Sequence, residues 1–323
     1  MNHGGDFKAT CRDLLEKGYG DKRPVNSQKE KQPEKKSSSV LLDSLQEKIL
    51  EYYDKGDPKG LGGPWPALNK LMTIRKGLLH IVTGIPSHGK SCVVDQIMVH
   101  MATEHDWKID VFSPEHHPHE VHARRLIQIK TKQSFFGPNR ISREVVKNES
   151  WEIGQSFRFL DSPDDVSLEF ILREWESRKA DALVIDPWNE LEHARPREQT
   201  ESEYIGICLR KLRKFAREKN VSVWVIAHPT KIQRQEKSDE RKVPDLYDIN
   251  GSANWYNKAD NGLVVWRNFE EGFTKVIVQK IKFHWDGNLG EVDLKFKTEF
   301  GGYEQMTQGD LFTGNAGLPM GDR

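Results

Sequence analysis

The stretch GIPSHGKS, Gly84–Ser91, decides how this chain is read. It satisfies G-x-x-x-x-G-K-[ST] at every fixed position. The apolar run LLHIVT (78–83) precedes it. After it, Val93, Val94, Ile97, Met98 and Met101 recur at helical spacing between Lys90 and Glu104. Strand, glycine loop and helix in that order make an anion cradle. Gly84 and Gly89 let the loop wrap so that backbone N–H groups face phosphates, and the helix adds its positive end. Lys90 can then reach the β- and γ-phosphates, and Ser91 can offer its hydroxyl to Mg2+. Ser87 and Cys92 complete the expected nucleotide contacts. The expected cofactors are ATP or another NTP, with Mg2+.

Working outward, the pattern alternates strand and helix from about residue 61. Strands are expected at 109–113, 158–160, 182–185 and 221–227, with helices at 119–132, 166–179 and 202–219. The last helix is expected to bury Tyr204, Cys208, Leu212 and Phe215. Residues 229–250 read as a long polar loop. Three further strands follow at 262–267, 275–283 and 291–297, with DGNLG (286–290) turning the last two into a hairpin. The fold class is therefore α/β: a P-loop NTPase with a mostly parallel sheet flanked by helices and a C-terminal β-hairpin. Four segments are expected: a disordered tail at 1–39, a linker helix at 40–60, the NTPase domain at 61–305, and a flexible, Gly-containing tail at 306–323. The first rests on NSQKEKQPEKKSSS (26–39), which has almost nothing to bury. In the linker helix Leu42, Leu45, Ile49 and Tyr53 share one face.

Composition excludes more than it suggests. The 323 residues carry 49 basic and 49 acidic side chains, so net charge gives no argument for nucleic acid. Any DNA contact must concentrate its cations locally. The three cysteines form no C-x-x-C pair, which speaks against zinc ribbons and disulfides and for a reducing compartment. No apolar run approaches the roughly 20 residues of a membrane span, and no signal-peptide core opens the chain.

Four more places carry chemistry. ALVIDP delivers Asp186 to the carboxyl end of a strand, where a carboxylate can hold Mg2+ beside a P-loop. Pro187 follows directly, so the group that activates water must lie elsewhere. Glu115, in VFSPE, is the candidate if its strand lies beside the P-loop strand; otherwise it is a solvated loop residue. His228 ends VWVIAHP, either as a sensor of the γ-phosphate or as a satisfied strand-end histidine. In VQKIKF, alternation puts Lys280 and Lys282 on one face. They could act on a neighbouring subunit's nucleotide, although periodicity alone favours two solvated lysines.

Together these motifs resemble the RecA-like helicase domain of the DnaB family, in its Twinkle-like, phage-type branch. The resemblance covers about 41–300. It rests on GIPSHGKS, VFSPE, LVIDPWNELEH, TESEY, VWVIAHPTK, YDINGSANWYNKADNGLVVWR and VQKIKF. It implies a homo-oligomeric ring, a hexamer, that moves on single-stranded DNA and unwinds forked duplex. By motif, Lys90, Ser91 and Asp186 bind nucleotide and Mg2+, Glu115 activates water, His228 senses nucleotide state, and Lys280 and Lys282 reach the next subunit. The loop with Lys231 and Arg234, and Gly251, Ser252, Asn254 and Lys258, resemble elements facing the DNA channel. The helix at 41–53 resembles the linker that docks on the adjacent subunit. The family pattern K-x-R-F reads K-I-K-F here, and lysine lacks the planar fork of arginine, so weaker hydrolysis is expected. Nothing before residue 60 resembles a zinc ribbon, a Toprim fold or another primase domain. The expectation is a helicase that makes no primers, either as a free-standing module or beside a separate primase or polymerase, in the cytoplasm of a bacterial or phage-infected cell. Two rival readings stay open: a RecA-like DNA-dependent ATPase that binds without unwinding, and an ATPase indifferent to DNA.

Overall fold

The computed structural model describes residues 40–161, 166–230, 243–251 and 253–307, together with Arg12, Leu14, Glu16 and Lys17. The chain divides into two units, Met1–Gly56 and Asp57–Arg323. In the first, helix α1 (Gln46–Lys55) follows a short 3-10 turn, and Leu42, Leu45, Ile49 and Tyr53 are all exposed. The expected tails at 1–39 and from 308 lie outside the described residues, apart from the four named above.

The second unit opens with α2 (Pro66–Asn69), then β1 (Leu79–Thr83), α3 (Lys90–His105), β2 (Ile109–Phe112), α4 (His119–Thr131) and α5 (Arg143–Ser156). It continues with β3 (Phe157–Phe159), α6 (Leu168–Arg178), β4 (Ala182–Ile185), α7 (Glu201–Lys219) and β5 (Ser222–Ala227). It ends with α8 (Asn254–Lys258), β6 (Asn261–Asn268), β7 (Phe273–Lys280), β8 (Gly290–Lys297) and β9 (Gly302–Gln305). One sheet runs β3-β2-β4-β5-β1-β6-β7-β8-β9. β3 through β6 pair in parallel, and β6 to β9 run antiparallel.

β1, β4 and β5 are buried at every position because helices cover both faces. Alternate residues go to opposite layers. Val82, Trp224 and Ile226 pack with Ile97, Met98 and Leu126, and Ile81, Val223 and Val225 pack with Leu209, Leu212 and Trp255. β7 and β8 alternate buried with half-exposed positions, as expected of a sheet covered on one face.

Six expectations need correction. The strand of Glu115, β2, does not lie beside β1; β4 and β5 stand between them. β7 and β8 form the expected C-terminal hairpin, but β9 extends it into a meander, and the 281–289 connection holds a 3-10 turn at His284–Asp286 rather than a tight turn. β7 stops at Lys280, so Lys282 lies beyond the strand. Helix α5 was not foreseen: of its 14 residues Ile153 alone is buried, so it presents little apolar periodicity. α3 is buried almost all round instead of on one stripe, because the sheet and α4 enclose it. On α7, Cys208 and Leu212 are buried as expected, whereas Tyr204 and Phe215 are half-buried.

A pocket at the carboxyl ends of the parallel strands

The loop after β1 is shaped by its glycines. Gly89 has φ +91°, and a Cβ there would meet the Tyr303 hydroxyl at 2.0 Å. Gly84, at φ +149°, would drive a Cβ into the Val265 carbonyl at 2.1 Å. Only glycine fits where the loop passes this close to β6 and β9. His88 accepts the Arg267 amide N–H on Nδ1 at 2.8 Å, which ties the loop to β6.

The loop opens onto a cavity of about 750 Å3. Ser87, Gly89, Lys90, Ser91, Cys92, Glu115 and His228 line it, as the sequence suggested. Lys90 is buried and donates to the Gly84 and Ile85 carbonyls at 2.9 and 3.1 Å. Burial lowers its pKa to about 8, against the pull of Asp186 and Glu115. An ammonium parked on two loop carbonyls can move to phosphate oxygens without new desolvation.

Asp186 sits one residue past β4 and is 4% exposed. Burial pushes its carboxyl up to about 7; a hydrogen bond with Ser91 opposes this, and Asp95 and Glu115 add to it. A buried carboxylate joined to a hydroxyl, facing other acids, fits a hard divalent cation with oxygen ligands. Ser91 and Asp186 would hold Mg2+.

Glu115 reaches the pocket although its strand is not adjacent to β1. The 3-10 turn Pro114–His116 carries it over the sheet edge, and its Oε1 lies 3.6 Å from His228 Nε2 at the end of β5. His228 is held below its ordinary pKa by burial and by Lys90, with Glu115 opposing. Its backbone N–H donates to Asn189 Oδ1 at 3.2 Å.

Behind the cation position lies a network that sequence reasoning missed. Asp95 on α3 accepts from His122 at 2.9 Å and from Arg125 at 3.1 Å, both on α4. Burial raises the Asp95 carboxyl, but His122 and Arg125 outweigh it and hold it low. His116 joins Ser113 at 2.6 Å and stands 3.7 Å from Asp186; burial lowers it to about 4. Arg124, Arg125, Arg267, Phe296 and Tyr303 also line the cavity. A single acid within the apolar part of α3, and the run HHPHEVHARR after Glu115, were the available signals.

A second cavity, about 360 Å3, adjoins His228 on the other side and is lined by Trp188, His193, Tyr204 and Trp255 among others. Here IDPWNELEH and GSANWYNKADN meet: Trp188 and Trp255 pack edge to face at 5.5 Å. Gly251 has φ +89° and a Cβ there would strike Ile205. Asn254 is engaged, donating to the Ser202 carbonyl at 2.9 Å, so its amide anchors α8 to α7. Lys258, the last residue of α8, is half-buried. Lys231, Arg234 and Ser252 lie outside the described residues.

Lys280 and Lys282 are not in the nucleotide cavity. Lys280 donates to the Tyr256 carbonyl and lies over that ring at 4.8 Å. Lys282 pairs with Asp260 at 2.9 Å, and Asp260 accepts the N–H of Leu79, the first residue of β1. Both lysines therefore sit toward the opposite edge of the sheet from the P-loop. Asp260 is fully buried and also meets Arg213 and Arg217 at 3.0 and 3.2 Å. Burial works against its ionisation, and Lys282, the Leu79 amide and Arg213 more than offset that.

Among the described residues no helix is long and apolar enough to cross a membrane. Comparison with known proteins agrees with the fold. The Twinkle homolog protein, chloroplastic/mitochondrial, of Arabidopsis thaliana is 31% identical over 277 residues, spanning 80% of this chain and 38% of that protein. That relative is organellar by name, so the comparison does not carry the expected bacterial or phage-infected cytoplasm. One solved structure, an isolated ATPase domain, superposes with a TM-score of 0.67 at 21% identity, over 83% of this chain and all of that one. A DnaB-like replicative helicase, solved in a study of its interactions with primase, gives 0.67 at 21% identity over 83% of this chain and 69% of its own. The RadB recombinase gives 0.52 at 18% identity over 76% and 100%. These likenesses establish a RecA-like fold. The DnaB-like helicase C-terminal domain matches residues 65–305, and the chain belongs to that family.

Proposed function

We propose that this chain is an NTP-driven translocase on single-stranded DNA that assembles as a ring and unwinds duplex ahead of it. The observation that carries the reading is the 3.6 Å approach of Glu115 to His228 in the cavity lined by Lys90 and by Ser91, which is hydrogen-bonded to Asp186. A carboxylate half-exposed beside the phosphate position can take a proton from water. His228 touches that carboxylate and begins the segment leading to residues 229–250. Any shift of Glu115 on hydrolysis thus reaches the proposed DNA loop and, through Asn189, the Trp188–Trp255 contact.

In this reading Lys90 binds the phosphates, Ser91 and Asp186 hold the cation, Glu115 orients and deprotonates water, and His228 reports the outcome. Bound Mg2+ would supply charge neutralisation between the β- and γ-phosphates. Lys280 and Lys282, remote from the cavity of their own chain, are assigned to the nucleotide of a neighbouring copy. The exposed apolar face of α1 is assigned to docking on that neighbour. Lys231, Arg234, Gly251, Ser252 and Lys258 are assigned to the DNA side, with Asn254 as an anchor. A separate primase is the expected partner; the replicative helicase that shares this fold was solved in a study of its interactions with primase.

The test is NTP hydrolysis with and without single-stranded DNA, with Lys90→Ala as the blank. Strong stimulation that vanishes in the variant, followed by strand displacement on a forked duplex, supports the proposal. Stimulation without displacement leaves a DNA-dependent ATPase that does not unwind. Turnover indifferent to DNA removes the channel assignments.

A further inference from the structure

Among the described residues, the pocket chemistry leaves a cluster of two histidines and a carboxylate unused. Past Glu115 and His116 the chain reads His117-Pro118-His119, and the sheet brings Asp161 to the same place. One ligand atom from each of His117, His119 and Asp161 lies within 4.8 Å of the others. His119 Nε2 is already 3.0 Å from Asp161 Oδ2. The rings of His117 and His119 sit edge to face with centroids 5.3 Å apart.

The three groups are placed by rigid elements. His119 is the first residue of α4 and stacks parallel on Phe159 of β3 at 5.1 Å. Asp161 follows Leu160, whose N–H donates to the Val111 carbonyl of β2 at 2.7 Å. Two neighbouring parallel strands thus deliver two imidazoles and a carboxylate to one point at their carboxyl ends. Zinc-class ions bind imidazole nitrogen at about 2.0–2.1 Å, so tetrahedral ligand atoms stand roughly 3.3 Å apart. The His119–Asp161 pair already stands within that spacing, and a ligand atom of His117 lies within 4.8 Å of theirs. His117 and Asp161 are exposed, which leaves the remaining coordination positions to water.

We propose that His117, His119 and Asp161 form a second cation site, selective for a borderline transition metal such as Zn2+, that clamps the segment carrying Glu115 to the end of β3. The ligand chemistry separates it from the Mg2+ position. Two imidazoles favour zinc, nickel or cobalt, whereas the hydroxyl and carboxylate of Ser91 and Asp186 favour magnesium. With the metal bound, the hydrogen bond between His119 and Asp161 is replaced by two bonds to one ion. The residues two and four positions after Glu115 are then fixed to the sheet.

Equilibrium dialysis with Zn2+, on the full chain freed of any purification tag and in millimolar Mg2+, tests the site. The expected result is one equivalent of Zn2+ per chain. Binding weakens at least about tenfold in His117→Ala, His119→Gln and Asp161→Asn and is retained in Asp186→Asn. Zn2+ should also raise the thermal midpoint of the wild type and not that of the three ligand variants. Midpoints in EDTA that match the wild type show that the variants are folded. Unchanged zinc affinity in the folded ligand variants, no saturable zinc binding, or loss of binding in Asp186→Asn alone would each overturn the proposal. None of these outcomes depends on the helicase reading.

Discussion

Asp186 illustrates how a residue's surroundings change its chemistry. Its pKa near 7 comes first from burial and then from Asp95 and Glu115, against Ser91. Below pH 7 the Asp186 carboxyl holds a proton that Mg2+ must displace, so Mg2+ affinity is expected to fall as pH drops through 7. Asp95→Asn removes a negative neighbour that raises the Asp186 carboxyl, and so lowers the Asp186 pKa. The acid limb of the NTPase pH profile should therefore move to lower pH in Asp95→Asn; a limb that stays or moves up contradicts this electrostatic account. At Lys282 the issue is shape. Asp260 holds it at 2.9 Å, and a lysine offers one charged head where arginine offers a fork. Lys282→Arg is expected to raise DNA-stimulated turnover, and unchanged or lower turnover speaks against the trans-acting role. The P-loop and the strand-end position of Asp186 were legible from type and spacing, whereas type and spacing left His228 between a sensor and a satisfied strand-end histidine. Asp95, His122 and Asp260 were not, because a buried charge is defined by partners distant in sequence.

At the scale of elements, the P-loop and helix α3 depend on β9, a strand no motif announced. Tyr303 of β9 stands against Gly89, and Gln96 of α3 exchanges hydrogen bonds with the Tyr303 backbone at 2.7 Å in both directions. Gly89→Ala should therefore be damaging twice over: through the left-handed backbone, roughly 1–2 kcal/mol, and through the clash with the Tyr303 hydroxyl. Nucleotide affinity and thermal midpoint should both fall. Adding Tyr303→Phe in the same chain removes the hydroxyl and should recover part of the loss; no recovery would mean that backbone strain alone is responsible. Helix α5 shows the limit of periodicity. Ser142 caps it, accepting the Val145 N–H at 3.2 Å, yet with so little buried it offered no apolar stripe to read.

Across the whole molecule, one buried histidine links stability to pH. His80 of β1 is fully buried, stacks on Trp224 of β5 at 4.2 Å, and has its pKa lowered to about 4 by burial, with Asp260 opposing. Its unfolded value is near 6.5, so the unfolded chain binds more protons between those limits. The stabilisation is complete above 6.5 and is lost as pH falls toward 4. The full difference amounts to about 3 kcal/mol. Denaturant unfolding at pH 7 and pH 4.5 should show a steeper acid loss in the wild type than in His80→Leu; equal losses would place the acid sensitivity elsewhere. His116, lowered to about 4 at the pocket, contributes in the same direction.

By itself the sequence determined the local and the periodic: a glycine loop between strand and helix, apolar strands that end on Asp186 and His228, and the motifs that mark the family. These follow from residue type and near-neighbour spacing, which the chain carries in one dimension. The tertiary structure decided what comes together across the sheet. It separated β2 from β1 by two strands and still brought Glu115 to His228. It gathered Arg213, Arg217 and Lys282 around Asp260, and it set β9 against the P-loop. Strand order and buried charge are settled by packing and desolvation of the whole core, which no single stretch of sequence encodes.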